Sequence, residues 1–156
     1  MQFSDMMYTI EVAIDGNSVM FLKKKPADKA AASKKKTTAS KTAKKNGHTL
    51  GAYANLPYWS DRDGGGDWKT RASYGKKVKL TNSWEFYTIG GSCSWKGAGV
   101  SGSGSNAGSS YTSKSKTKKV DANGYVYGTG LCLYLGLIST ASFSSGNTYY
   151  SISTKI

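Results

Sequence analysis

Between Lys23 and Lys45 the chain carries ten lysines, one acid (Asp28) and, apart from Pro26, no apolar residue larger than alanine. Such a stretch cannot bury enough apolar surface to offset the entropy lost on ordering it. It constrains the fold more than any other feature, because strand-like sequence precedes it and a longer strand-like body comes after it. The chain therefore divides into an N-terminal β-hairpin over residues 1–22, a Lys-rich linker or arm over 23–45, and a β-sandwich body over 46–156. The block supplies +9 of the formal charge of +13, which leaves +4 for the rest, an ordinary value for a soluble domain. Pro26 and the alanines after it suit a helix start. Thr37, Thr38 and Thr42, and like-charge repulsion at helical spacing, oppose one. The expectation is a segment disordered in isolation, ordering only against a polyanion.

Outside the block the periodicity is that of strands. Tyr8, Ile10, Val12 and Ile14 share one face and Thr9 and Glu11 the other, a half-buried strand. Asp15-Gly16-Asn17 then turns into Ser18–Leu22 as a hairpin. Asn46-Gly47 marks another turn. Lys76 to Ile89 reads as one long strand, with Val78, Leu80, Trp84 and Phe86 on one face and Lys77, Lys79, Thr81, Ser83 and Glu85 on the other. The Gly/Ser-rich residues 97–110 read as a loop or a pair of small-residue edge strands. Asn123-Gly124 is a second strong hairpin signal. Tyr125 to Ser139 is apolar on both faces and reads as a central strand covered on both sides. Ser145-Gly146-Asn147 turns into the last strand. About seven to nine strands with turn signals between them predict an all-β, antiparallel sandwich, jelly-roll-like or Ig-like, with a flexible Lys-rich insertion. A β-barrel is the alternative.

The composition suits such a fold. Eleven tyrosines and four tryptophans supply large buried area where long aliphatics are scarce. No apolar run reaches the length of a membrane-spanning helix. Residues 1–8 have no positive start of the secretory kind. An extracellular, cell-surface or virion setting is expected with no recognisable signal peptide. Cys93 and Cys132, 39 positions apart, permit one long-loop disulfide or two buried thiols. C-x-x-C spacing is absent, which excludes zinc and thioredoxin-type readings.

Catalytic signals are thin, and the expectation is no enzyme and no cofactor. His48 is the only histidine, and no nucleophile is placed beside it. Glu11 and Glu85 lie on polar strand faces without a glycosidase signature. Gly97 to Gly102 fits G-x-G-x-x-G, but the Ser-Gly-Ser-Asn-Ala-Gly run from Ser103 to Gly108 cannot start the helix that the motif needs. Asp61, Asp63 and Asp67 have partial calcium-loop spacing, with Ala72 where a bidentate Glu belongs. The three read either as a weak calcium site or as a polar turn whose Asp side chains bond local backbone amides. Tyr58, Trp59 and Trp68 lie near acids in a turn-rich region, a pattern suited either to stacking on sugar rings or to a satellite core.

The basic residues carry the strongest functional signal. Lys23, Lys24, Lys25, Lys29, Lys34, Lys35, Lys36, Lys41, Lys44 and Lys45 could neutralise phosphates, sulfates or carboxylates and release counterions. Lysine in place of arginine favours point-charge attraction over bidentate recognition. Lys114, Lys116, Lys118 and Lys119 either extend this patch or protect an exposed edge. The leading reading is a non-enzymatic β-protein contacting a cell-wall polymer, an acidic glycan or a nucleic acid. A basic arm on an all-β body also resembles the layout of small viral capsid proteins, although here the arm is internal. That layout implies a structural subunit of a virion or filament, self-assembling through the N-terminal hairpin. A cationic membrane-active toxin, inserting Lys76–Ile89 or Tyr125–Ser139, is the third reading.

Overall fold

The computed structural model describes residues 11–15, 17–22, 37–56, 65–89, 92–97, 106–131 and 134–156. These form the strands β1 (Glu11–Asp15), β2 (Ser18–Leu22), β3 (Thr38–Lys45), β4 (His48–Asn55), β5 (Gly65–Val78), β6 (Thr81–Ile89), β7 (Ser92–Gly97), β8 (Asn106–Thr112), β9 (Thr117–Leu131), β10 (Tyr134–Ser145) and β11 (Thr148–Lys155). A seven-stranded sheet runs β1-β2-β9-β5-β4-β3, with β7 also on β9, and a four-stranded sheet runs β11-β10-β6-β8. The two pack face to face as a β-sandwich and do not close into a barrel.

Local chemistry explains the tight turns. Asn46 (φ 49°) and Gly47 (φ 81°) join β3 to β4 between the paired residues Lys45 and His48. Positive φ at both central positions is what a type I′ hairpin requires. Gly146 (φ 61°) opens the two-residue turn between Ser145 and Thr148, as a type II′ turn requires. Asp15 pairs with Ser18 across Gly16-Asn17, so the first expected hairpin forms too.

The core mixes small residues with rings contributed by both sheets. Ala39, Ala54 and Ala122 line the inner face of the larger sheet, which lets the sheets approach closely. Trp68 packs 5.1 Å from Trp84 and edge-on to Phe86 at 5.5 Å. A second cluster gathers Leu50, Leu80, Val120, Phe143 and Ile152. The alternation expected for 76–89 holds: Leu80, Trp84 and Phe86 are buried while Lys77, Lys79 and Glu85 are exposed.

Four sequence expectations are corrected. Thr38–Lys45 belongs not to a core-free linker but to edge strand β3, where Ala39 is buried, Ala43 half-buried and Lys41 and Lys44 exposed. Lysines on an outermost strand deter edge-to-edge pairing. Lys76–Ile89 is two strands in different sheets, broken at a corner where the Leu80 amide donates to Ser113 Oγ (3.0 Å) and the Ser113 amide to the Leu80 carbonyl (2.9 Å). Tyr125–Ser139 likewise divides between β9 and β10, one in each sheet. Asn123-Gly124 is no turn: both lie inside β9, paired with Lys69 and Trp68. The glycine places no side chain beside the Trp68 indole, and ladder bonds outweigh the local preference.

The N-terminal hairpin joins its own chain. β2 pairs in parallel with β9, Ser18 opposite Asp121 and Met20 opposite Asn123, and the Asp121 amide donates to the Asn17 carbonyl. Of the small-residue stretch, Asn106–Thr112 is an edge strand, one of its two expected forms.

Candidate functional site

Strand direction decides where the lysines go. β3, β5, β8 and β10 all run toward one end of the sandwich, and β4, β6, β9 and β11 run back from it. Three connections at that end carry lysine. The β3–β4 turn contributes Lys44 and Lys45, the corner between β5 and β6 contributes Lys76, Lys77 and Lys79, and the β8–β9 connection contributes Lys114, Lys116, Lys118 and Lys119. All are exposed except Lys45, which is half-buried.

Direct contacts hold these connections together. The Tyr74 hydroxyl donates to the Lys45 carbonyl at 2.6 Å. His48 packs edge-on against Tyr74 at 5.7 Å, and a Cβ on Gly75 would lie 3.3 Å from His48 Cβ. Val78 is opposite Thr117 and Ser73 opposite Lys119. The reciprocal Leu80–Ser113 bonds fasten the third connection to the second.

Acids are few here. Among the described side chains, Asp67 and Glu85 sit away from this end, opposite Tyr125 and Ile138. Asp121 is the nearest, and it is engaged: Arg71 Nε donates to its Oδ1 at 2.5 Å and Lys119 Nζ lies 3.5 Å from Oδ2. The hydrogen bond to Asp121 raises the Arg71 pKa above its ordinary value against the opposing effect of desolvation, with smaller contributions from the charges of Asp121 and Tyr53. The net charge of +4 outside the Lys23–Lys45 block therefore conceals a sharp asymmetry. Lys76–Lys79 and Lys114–Lys119 contain seven lysines and no acid, so everything else outside the block nets −3. Concentrated charge of one sign raises the local potential and draws in counter-ions.

An aromatic row crosses the same end. From His48 it passes to Tyr74, on to Phe143 at 4.2 Å and to Tyr150 at 5.1 Å, the last pair stacked at 23°. Beside it Tyr149 is 65% exposed, the only large hydrophobic side chain so exposed among the described residues. Burial raises the Tyr74 pKa above its ordinary value, with Tyr150 adding to the effect.

The other candidate residues fare differently. Lys41, Lys44 and Lys45 are on β3; Lys23, Lys24, Lys25, Lys29, Lys34, Lys35 and Lys36 lie outside the described residues. Trp68 is 1% exposed, so it is core and cannot stack on a sugar; Tyr58 and Trp59 lie outside the described residues. Asp67 is in strand β5, where Gly65 to Asp67 pair with β9. Asp61 and Asp63 lie outside the described residues, as does Cys132, while Cys93 is in β7.

A shallow depression of about 330 Å³ lies on the outer face of the larger sheet, lined by Asn55, Asp67, Lys69 and Asn123. It carries one charge of each sign and does not extend the positive surface. Sequence reasoning found Lys114–Lys119 but could not join it to Lys76–Lys79, because only strand direction brings them to one end. No family model, curated protein or solved structure matches the chain.

Proposed function

We propose that this protein is a binding module and not an enzyme, and that it contacts an anionic polymer through its lysine-rich end. The single observation that carries this reading is the convergence of three lysine-bearing connections, distant in sequence, on one end with its nearest described acid already paired. Folding holds like charges together there, at an electrostatic cost. A polyanion relieves that repulsion and gains entropy by releasing its own counterions. The Lys23–Lys36 segment adds charge to the same chain and strengthens any such contact.

Lysine gives the surface its character. An ammonium is a strongly hydrated point charge on a flexible stem, so it follows phosphate, sulfate or carboxylate spacing without fixing it. Binding should therefore be tolerant of sequence and steep in salt. The test is retention on immobilised heparin. Lys76, Lys77 and Lys79 changed to Gln together with Lys114, Lys116 and Lys118 changed to Gln should elute at clearly lower salt than the parent, with Tm unchanged or raised. Elution at the parent's salt concentration would show that the folded end makes no contact.

A further inference from the structure

The aromatic row and the exposed Tyr149 have no role in simple charge attraction. We infer that the polymer this end accepts is a single-stranded nucleic acid, whose bases stack on Tyr149 while the lysines follow its phosphates. The inference rests on the polyanion reading above and specifies its ligand.

Three observations carry it. First, Tyr149 is 65% exposed on the β10–β11 hairpin, which opens onto the lysine-rich end. A tyrosine in an ordinary hairpin buries its ring against a cross-strand neighbour; this one presents it. Second, the strand that carries the ring is anchored on its inner face, opposite the ring itself. The next residue, Tyr150, stacks on Phe143, which packs on Tyr74, whose hydroxyl binds the Lys45 carbonyl. The β10–β11 hairpin that presents Tyr149 is thus joined to the lysine turn by a continuous chain of interior contacts, so its backbone is fixed relative to that turn before any ligand arrives. Third, the exposed ring shares its end of the sandwich with three lysine-bearing connections, and positive surface beside an aromatic face is the usual means of binding unpaired strands, because every base has a π-face and stacking tolerates any sequence.

Rival polyanions fit less well. A duplex keeps its bases stacked internally and gives Tyr149 nothing to receive. A sulfated glycan meets the lysines through its sulfates and offers Tyr149 no aromatic face to stack on. An anionic membrane would be met by a larger apolar surface, whereas Tyr149 is the only exposed large hydrophobic among the described residues.

The experiment measures the affinity of the full chain and its Tyr149→Ala and Tyr149→Phe variants for four probes at low salt. The probes are a labelled dT oligonucleotide, the matching duplex, heparin, and phosphatidylserine vesicles. Tyr149→Ala should weaken the oligonucleotide by about 5- to 150-fold, leave heparin within about twofold, and be rescued by Tyr149→Phe. The single strand should bind more tightly than the duplex. An equal effect of Tyr149→Ala on oligonucleotide and heparin, or none on either, would overturn the stacking role while leaving the polyanion reading intact. A loss confined to vesicles would make Tyr149 a membrane contact and overturn it as well. Failure of the parent to bind any probe would overturn both readings together.

Discussion

The hydroxyl of Tyr74 donates to the main-chain carbonyl of Lys45 at 2.6 Å, so a core tyrosine of β5 fixes the lysine-bearing turn between β3 and β4. The ring is buried between His48 and Phe143. Tyr74→Phe keeps the packing and removes one hydrogen bond, and should lower Tm by roughly 2–4 °C. The same group gives a pH signature. Its pKa is raised in the folded protein by burial, with Tyr150 adding to the effect, so the fold favours the protonated phenol. That stabilisation is fully present below the unfolded value near 10 and is lost as pH rises through the higher folded value. Denaturant melts of parent and Tyr74→Phe from pH 8 to 11 should converge at the alkaline end. A constant gap would contradict the assignment.

Ser113 is 2% exposed and fastens the corner at Leu80 through two hydrogen bonds. Ser113→Ala removes the hydroxyl acceptor and leaves the buried Leu80 amide unpaired, at a cost of about 1–3 kcal/mol. Ser113→Thr keeps the oxygen and should cost less. Chemical denaturation measures both, and the heparin affinity of the folded fraction should fall slightly for Ser113→Ala, because the link between the Lys79 and Lys114 connections keeps only its main-chain hydrogen bond.

Gly136 lies beneath the ring of Tyr87, where a Cβ would collide with Tyr87 Cζ. The Tyr87 hydroxyl donates to the Ile156 carbonyl, which pins the ring in place. Gly136→Val should destabilise by about 1–3 kcal/mol through overpacking. Adding Tyr87→Ala should relieve part of that penalty, so the double-mutant cycle should show favourable coupling. Purely additive losses would mean that the ring does not press on this backbone.

Asp121 binds Arg71 and Lys119 with side chains 19%, 43% and 55% exposed respectively. Water screens such pairs, so Asp121→Asn should cost no more than about 1 kcal/mol. It also removes a negative charge beside the lysine-rich end. Heparin affinity should rise modestly, with a steeper dependence on salt. Unchanged affinity in this variant would place the contact surface elsewhere.

How much of this was legible in the sequence depends on how local its cause is. Asn46-Gly47 and Gly146-Asn147 announced their turns because positive φ is a property of those residues themselves. The alternation through Leu80, Trp84 and Phe86 announced a buried face even though the strand is broken. The break itself was hidden: Lys79-Leu80 contains no glycine or proline, and the corner is set by Ser113, far along the chain. Asn123-Gly124 misled for the converse reason, since β5 on one side and β2 on the other enforce a strand where the local preference is a turn. Lysine content masked the strand at Thr38–Lys45, although Thr38, Ser40 and Thr42 alternate with Ala39 and Ala43. Half of the site was visible as lysine tracts. Their union depends on topology, which no tract encodes alone.

The most direct measurement is a backbone-amide chemical-shift map of the full chain titrated with a short heparin oligosaccharide at low salt. Contact through the folded lysine-rich end should move the amides of residues 44–48, 75–80 and 114–119 together, with the surroundings of Asn55, Asp67 and Asn123 unmoved. Shifts confined to residues 23–36, with those three connections silent, would contradict a binding surface assembled by the fold.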